Sequence, residues 1–157
     1  MGVAAIQIAR VMGAEVHTVS SAKNEPLCAE LGAHKTWSYP EHGWKREAPF
    51  DVVLDAFGNL AFSEIAPHLA ERGRYVSTVP SARRVVRDVT SRLARKEERL
   101  VVVRPRARDF ATLAEWMRSG RLRAVIDARF ALDRAVDAFE RLESKRTRGK
   151  IIIQIRA

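Results

Sequence analysis

A chain of 157 residues with 46% apolar and 30% charged side chains has material to bury one hydrophobic core but hardly two. Its single cysteine, Cys28, excludes an internal disulfide framework and a cysteine-built metal cluster, and no apolar run approaches the roughly 20 residues that span a bilayer, so a cytoplasmic protein without membrane contact is expected. The formal charge of +9 raises nucleic acid as a partner, yet the excess is arginine scattered along the chain and concentrated only at Arg83–Arg99 and Ser144–Lys150, which suits a basic face on an anion-binding domain better than a phosphate-tracking stripe.

Val3–Met12 carries Ala5, Ile6, Ala9 and Met12 at the spacing of one helical face, and Gly13 stops it. Glu15–Val19 then reads as a short buried strand running into Ser20 and Ser21. Lys23–Leu31 is helical up to Gly32, and Lys35–Tyr39 is a second short strand. Beyond a polar loop holding Pro40, Gly43 and Pro49, Phe50–Leu54 reads as an apolar central strand closed by Asp55–Gly58. Leu60–Ala70 predicts a helix stopped by Gly73, Arg74–Val79 a strand broken at Pro80, and Leu100–Val103 the next strand. Asp109–Met117 places Phe110, Leu113, Ala114 and Met117 on one stripe before Gly120. A last helix, Asp133–Leu142, leads into Lys150–Ile155, and Val125–Phe130 belongs to the same tail. Strands separated by amphipathic helices predict an α/β domain with a mostly parallel sheet.

Gly2, followed three positions later by Ala5 at a helix start, is the latter half of G-x-G-x-x-G/A. In that turn the glycines let backbone N–H groups approach a pyrophosphate at the positive end of the helix. The fragment alone is a weak motif; its weight comes from several segments agreeing in order. Met1–Gly13 resembles the G-V-G-x-x-A-I-Q-I-A-K-x-L-G-A stretch of the quinone-oxidoreductase and zeta-crystallin branch of the medium-chain dehydrogenase/reductases. Ala14–Gly32 is similar to that family's strand, S-S-x-K turn and E-L-G-A helix end, Asp51–Gly58 to its D-V-V-L-D-x-x-G strand, and Gly73–Thr78 to its G-G-R-L-V-S strand. Gly120–Asp127, Leu132–Glu143 and Arg148–Ile153 resemble its tail, so the resemblance covers nearly the whole chain.

The end of the second strand of a dinucleotide fold selects the cofactor, because an acidic side chain there accepts from the ribose 2′-hydroxyl of NAD. This chain has none. Ser20, Ser21 and Lys23 offer hydroxyls and a cation instead, which suit a 2′-phosphate, so NADP(H) is the expected cofactor. Gly2 and Val3 are expected at the pyrophosphate. The resemblance implies that Lys23 and Tyr39 reach the 2′-phosphate, and that Ala56, Phe57, Gly58, Thr78 and Val79 line the path from adenosine to nicotinamide. Without it, Lys23 is a solvated residue at a helix start, Tyr39 a half-buried strand end, and Phe57 a core aromatic.

No catalytic residue is assigned. His17, His34, His42 and His68 lie on separate elements without metal-ligand spacing, so no zinc is expected, and neither Ser63 nor Ser77 sits in a G-x-S-x-G elbow. In the resembling family the substrate pocket comes mainly from an N-terminal barrel-like domain that these residues do not contain. The strand that precedes the glycine turn of a Rossmann half is likewise not here. The expected fold is therefore a Rossmann-like doubly wound parallel sheet lacking its first strand, plus a C-terminal helix-strand tail. Residues 1–106 are expected to form a partial dinucleotide-binding domain, and 107–157 a tail that packs on the catalytic domain of a longer reading frame. Three functions follow from this reading: the NADP(H)-binding portion of a zinc-independent reductase of quinones, enones or related carbonyls; a non-catalytic or partner-dependent NADP(H)-binding remnant; and a basic nucleic-acid-binding protein. The partners expected are the small-molecule substrate of the full-length enzyme and no membrane, with a homodimer left open.

Overall fold

The computed structural model describes residues 1–91, 94–144 and 146–155; of the two basic runs, Arg92, Leu93 and Lys145 lie outside the described residues. The helices are α1 (Gly2–Val11), α2 (Glu25–Glu30), α3 (Phe62–Ile65), α4 (Ala82–Thr90), α5 (Ala107–Arg118) and α6 (Ala135–Glu143). The strands are β1 (His17–Ser20), β2 (Lys35–Ser38), β3 (Phe50–Asp55), β4 (Leu69–Ser77), β5 (Glu97–Leu100), β6 (Ile126–Ala131) and β7 (Lys150–Gln154). Every ladder is parallel: β1 with β2, β3–β4–β5 in that order, and β6 with β7. The first two ladders carry the pairings 3-2 and 4-5-6 of a Rossmann-like doubly wound sheet, so the fold is the α/β class that the strand-helix alternation predicts. None of the described helices is long and apolar enough to cross a membrane.

Two compact units make up the chain, Met1–Tyr39 with Ala107–Ala157, and Pro40–Arg106. In the first, the apolar face of α1 meets α2 and the strand start: Ile6, Val16, Cys28 and Leu31 are buried together, with Val3, Ala9, Leu27, Ala33 and Val125 around them. Gln7 is also buried, and its amide is fully used: Nε2 donates to the carbonyls of Val3 and Arg123, and Oε1 accepts from the Arg123 amide at 2.9 Å. A side chain in α1 thus fixes residue 123, and with it the approach of the tail to this core. In the second unit Ile65, Leu69 and Tyr75 are buried, flanked by Trp44, Val53, Leu60 and Phe62.

The second unit departs from expectation in three places. The helix expected over Leu60–Ala70 is a single turn, because Pro67 cannot continue it; a 3₁₀ turn follows at Ala66–His68 and β4 begins at Leu69. Gly73 consequently lies inside β4, within the register shift between Phe50↔Leu69 and Val52↔Arg74. Residues 82–90, which read only as part of a basic run, form α4, capped by Ser81 Oγ accepting from the Arg84 amide. The strand expected at Leu100–Val103 lies earlier, at Glu97–Leu100, because ladder partners for β4 end at Ser77↔Leu100. In the first unit β2 stops at Ser38, so Tyr39 opens a 3₁₀ turn rather than ending the strand. β3 has the apolar sequence of a two-sided strand, but among the described residues it pairs with β4 alone, and Val52 and Leu54 stay largely exposed.

Candidate functional site

Within the first unit, α1 starts at Gly2, and the carbonyl of Met1 accepts from the amides of Ala4 and Ala5. That leaves the amides of Gly2 and Val3 without acceptors among the described residues, at the positive end of a ten-residue helix. A Cβ placed on Gly2 would meet nothing within 4 Å, so the backbone there is open to an approaching anion. The register Ser20↔Ser38 sends Ser21 and Tyr39 out of the same end of the β1–β2 ladder side by side. Ser20 Oγ donates back to the Ser21 carbonyl at 3.2 Å, and Tyr39 is 58% exposed. Lys23 stands exposed in the 3₁₀ turn Ala22–Asn24.

Lys23 also lines a recess of about 510 Å³ with Leu27, Val125, Ile126, Asp127, Arg141, Arg146 and Arg148. Asp127 is already committed: its carboxylate takes Arg141 Nε at 2.9 Å and Nη2 at 3.3 Å, and the Arg148 amide at 2.9 Å. The Arg141 guanidinium above all holds the Asp127 carboxyl below the usual carboxylate range, against the opposing effect of burial. With that pair neutral, the cations of Lys23, Arg146 and Arg148 have no carboxylate salt bridge among the described residues, and the recess is cationic. Sequence reasoning found Lys23 and missed Arg146 and Arg148, which lie more than a hundred residues away in the tail; the only signal was the basic run itself.

In the second unit, Ala56–Gly58 leaves β3 and Thr78–Val79 leaves β4, adjacent strands with Asp55 opposite Ser77. Asp55 is buried and organises the first loop: Oδ1 accepts from the amides of Phe57 (3.0 Å) and Gly58 (2.6 Å), Oδ2 from the Leu60 amide (3.1 Å) and the Tyr75 hydroxyl (2.8 Å). Burial alone would raise the Asp55 carboxyl, but the bonds from Tyr75, Leu60, Gly58 and Phe57 outweigh it and hold it below its ordinary value. Tyr75 is fully buried, and burial followed by its bond to Asp55 pushes its hydroxyl up to about 12. Thr78 ties the loops together, its amide donating to the Asp55 carbonyl and its Oγ1 to the Ala56 carbonyl at 3.1 Å. Gly58 has φ +78°, and a Cβ there would lie 2.5 Å from Val79 Cβ, so the two loops touch where only glycine fits. Phe57 is 62% exposed and is no core aromatic. The structure thus gathers Gly2, Val3, Ser20, Ser21, Lys23 and Tyr39 in one unit and Ala56, Phe57, Gly58, Thr78 and Val79 in the other.

A zinc site does not fit these residues: among those described, no three His, Cys, Asp or Glu side chains gather, and Cys28 is buried in an apolar cluster. Free helix amides over an open glycine and a cationic recess do fit a ligand with separated phosphates.

The family described as zinc-binding dehydrogenase matches residues 31–153. Among curated proteins, the chain is 28% identical over 162 residues to the chloroplastic quinone-oxidoreductase QR1 of Triphysaria versicolor, covering 98% of this chain and 49% of that one. It is 29% identical over 174 residues to the trans-enoyl reductase pgmF of Aspergillus terreus, covering 98% and 48%. Among solved structures, the quinone oxidoreductase from Coxiella burnetii superposes with a TM-score of 0.81 at 26% identity, over 99% of this chain and 49% of that one. The chain spans about half the length of the curated relatives it matches.

Proposed function

We propose, since the chain belongs to the zinc-binding dehydrogenase family in its quinone-oxidoreductase branch, that these residues form the NADP(H)-binding portion of an oxidoreductase acting on quinones, enones or related carbonyls. Bound there, the nicotinamide supplies hydride chemistry. The amides of Gly2 and Val3 receive the pyrophosphate. Lys23, with Ser20, Ser21 and Tyr39 at the same strand ends, receives the 2′-phosphate; in the second unit, taken by itself, Ala56–Gly58, Thr78 and Val79 are the cofactor-facing residues. The observation that carries the reading is the cationic recess, where Arg146 and Arg148 join Lys23 and no free carboxylate stands among the described residues to accept from a ribose 2′-hydroxyl.

Fluorescence titration with NADPH and NADH tests it. NADPH is expected to bind more tightly, and Lys23→Ala to weaken NADPH about tenfold through loss of one charge-assisted contact, leaving NADH unchanged. Equal affinity for both nucleotides, with no effect of the substitution, removes the 2′-phosphate from this site.

The half-length match to the relatives favours a second reading, in which the chain holds the dinucleotide but does not turn substrate over unaided. Saturable NADPH binding without NADPH consumption on adding a quinone is the result expected of that reading. Turnover by this chain would exclude it.

A further inference from the structure

Both loops at the carboxyl ends of β3 and β4 hang from one guanidinium. Arg84, in the first turn of α4, donates from Nη1 to the Val79 carbonyl at 3.1 Å, and from Nη2 to the carbonyls of Gly58 at 3.1 Å and Leu60 at 2.9 Å. Its side chain is only 14% exposed. Nε lies 3.7 Å from Oε1 of Glu98, a carboxylate 4% exposed, while Arg87 stands 3.7 Å from Oε2 on its other side. Glu98 therefore aims Arg84 through one carboxylate oxygen, while Arg87 faces the other. The first loop is held from two sides, its amides by the Asp55 carboxylate and its carbonyls by Arg84. The second loop shares the same cation through Val79.

A planar guanidinium presents five donors in a fixed fork and can meet acceptors on two separate loops at once; a lysine ammonium on a flexible stem cannot hold the same three carbonyls in one geometry. The spacing this sets is tight, because Gly58 already sits against Val79 with no room for a methyl group. We propose that Arg84 is the positioning residue that fixes the separation of the two cofactor-facing loops, and so the width of the dinucleotide path between them. That these loops face the cofactor rests on the NADP(H) reading above; the clamp itself does not.

Arg84→Lys and Arg84→Met in the full chain test this with two readouts. Amide hydrogen exchange reads the clamp without any ligand: at Phe57, Gly58 and Leu60 it is expected to speed up roughly tenfold or more, while Val53 and Val76 in the paired strands keep their wild-type rates. NADPH affinity reads the position, and is expected to fall about tenfold in both variants. Exchange that stays slow at the loop overturns the proposal, and so does exchange that rises equally in strands and loop, which is a merely structural loss. Faster loop exchange with unchanged NADPH affinity overturns the positioning role. If the variants show the loop effect but the wild-type chain binds no NADPH, the cofactor reading fails and the clamp stands. Should the methionine variant not fold, the lysine variant, which keeps the charge but not the fork, decides alone.

Discussion

Asp55→Asn is expected to destabilise the second unit by about 3 to 5 kcal/mol at neutral pH, because it removes the charge from a buried acceptor on which four donors converge. The asparagine oxygen can replace one carboxylate oxygen, but its amide group then points N–H at backbone amides that donate to the lost oxygen, although the Tyr75 hydroxyl keeps its bond to the Leu60 carbonyl at 2.9 Å. Urea denaturation is the measurement, and a midpoint equal to wild type would remove the network from any account of stability. The pH dependence carries the same signature. Folding lowers the Asp55 pKa from its ordinary 3.8, so the folded state prefers the ionised form. That stabilisation is complete above the unfolded value and is lost as pH falls through the folded one, so wild-type stability falls in acid with a component that the asparagine variant lacks. Tyr75 marks the alkaline side. Its hydroxyl is raised from 10.0 to about 12, so its contribution is complete below pH 10 and disappears as pH rises through about 12.

The elements that the sequence made legible are those whose apolar spacing faces a core. α1, β2 and β3 fall within one residue of where periodicity and glycine stops place them and β1 within two, beside the packed residues Ile6, Val16, Leu31 and Val53. α4 escaped because its pattern is inverted: Val85, Val86 and Val89 are exposed, and the inward position belongs to Arg84. A reading that seeks hydrophobic faces sees only a basic run there. Pro67 was the local signal that the helix after Leu60 would be short, and Asp55 with Gly58 three residues later was the signal of an Asx-type turn. Neither signal names Tyr75 or Arg84 as partners, because those contacts depend on β4 and α4 lying beside β3. The cationic recess was legible by half. Lys23 stands in a local motif, whereas Arg146 and Arg148 reach it only through the parallel pairing of β6 with β7, a contact with no counterpart in local sequence.

That pairing leads to the second large effect, expected for Gly149→Ala. Gly149 has φ +130°, a region that side chains avoid, and a Cβ there would fall on the Val125 carbonyl, with Val125 C at 2.8 Å and Val125 Cβ at 3.0 Å. The obstacle is backbone, and that backbone is already engaged: the same carbonyl accepts from the Lys150 amide at 2.8 Å, at the start of the β6–β7 ladder. Relief therefore requires either a strained turn or withdrawal of the tail, at about 3 kcal/mol. Withdrawal would carry Arg148 off Asp127, which accepts from its amide at 2.9 Å, and would take Arg146 and Arg148 away from Lys23. The substitution alters no charge, yet the preference for NADPH over NADH is expected to shrink along with the urea midpoint. An alanine variant with wild-type stability and undiminished NADPH preference would show that the tail turn neither limits the fold nor builds the phosphate site.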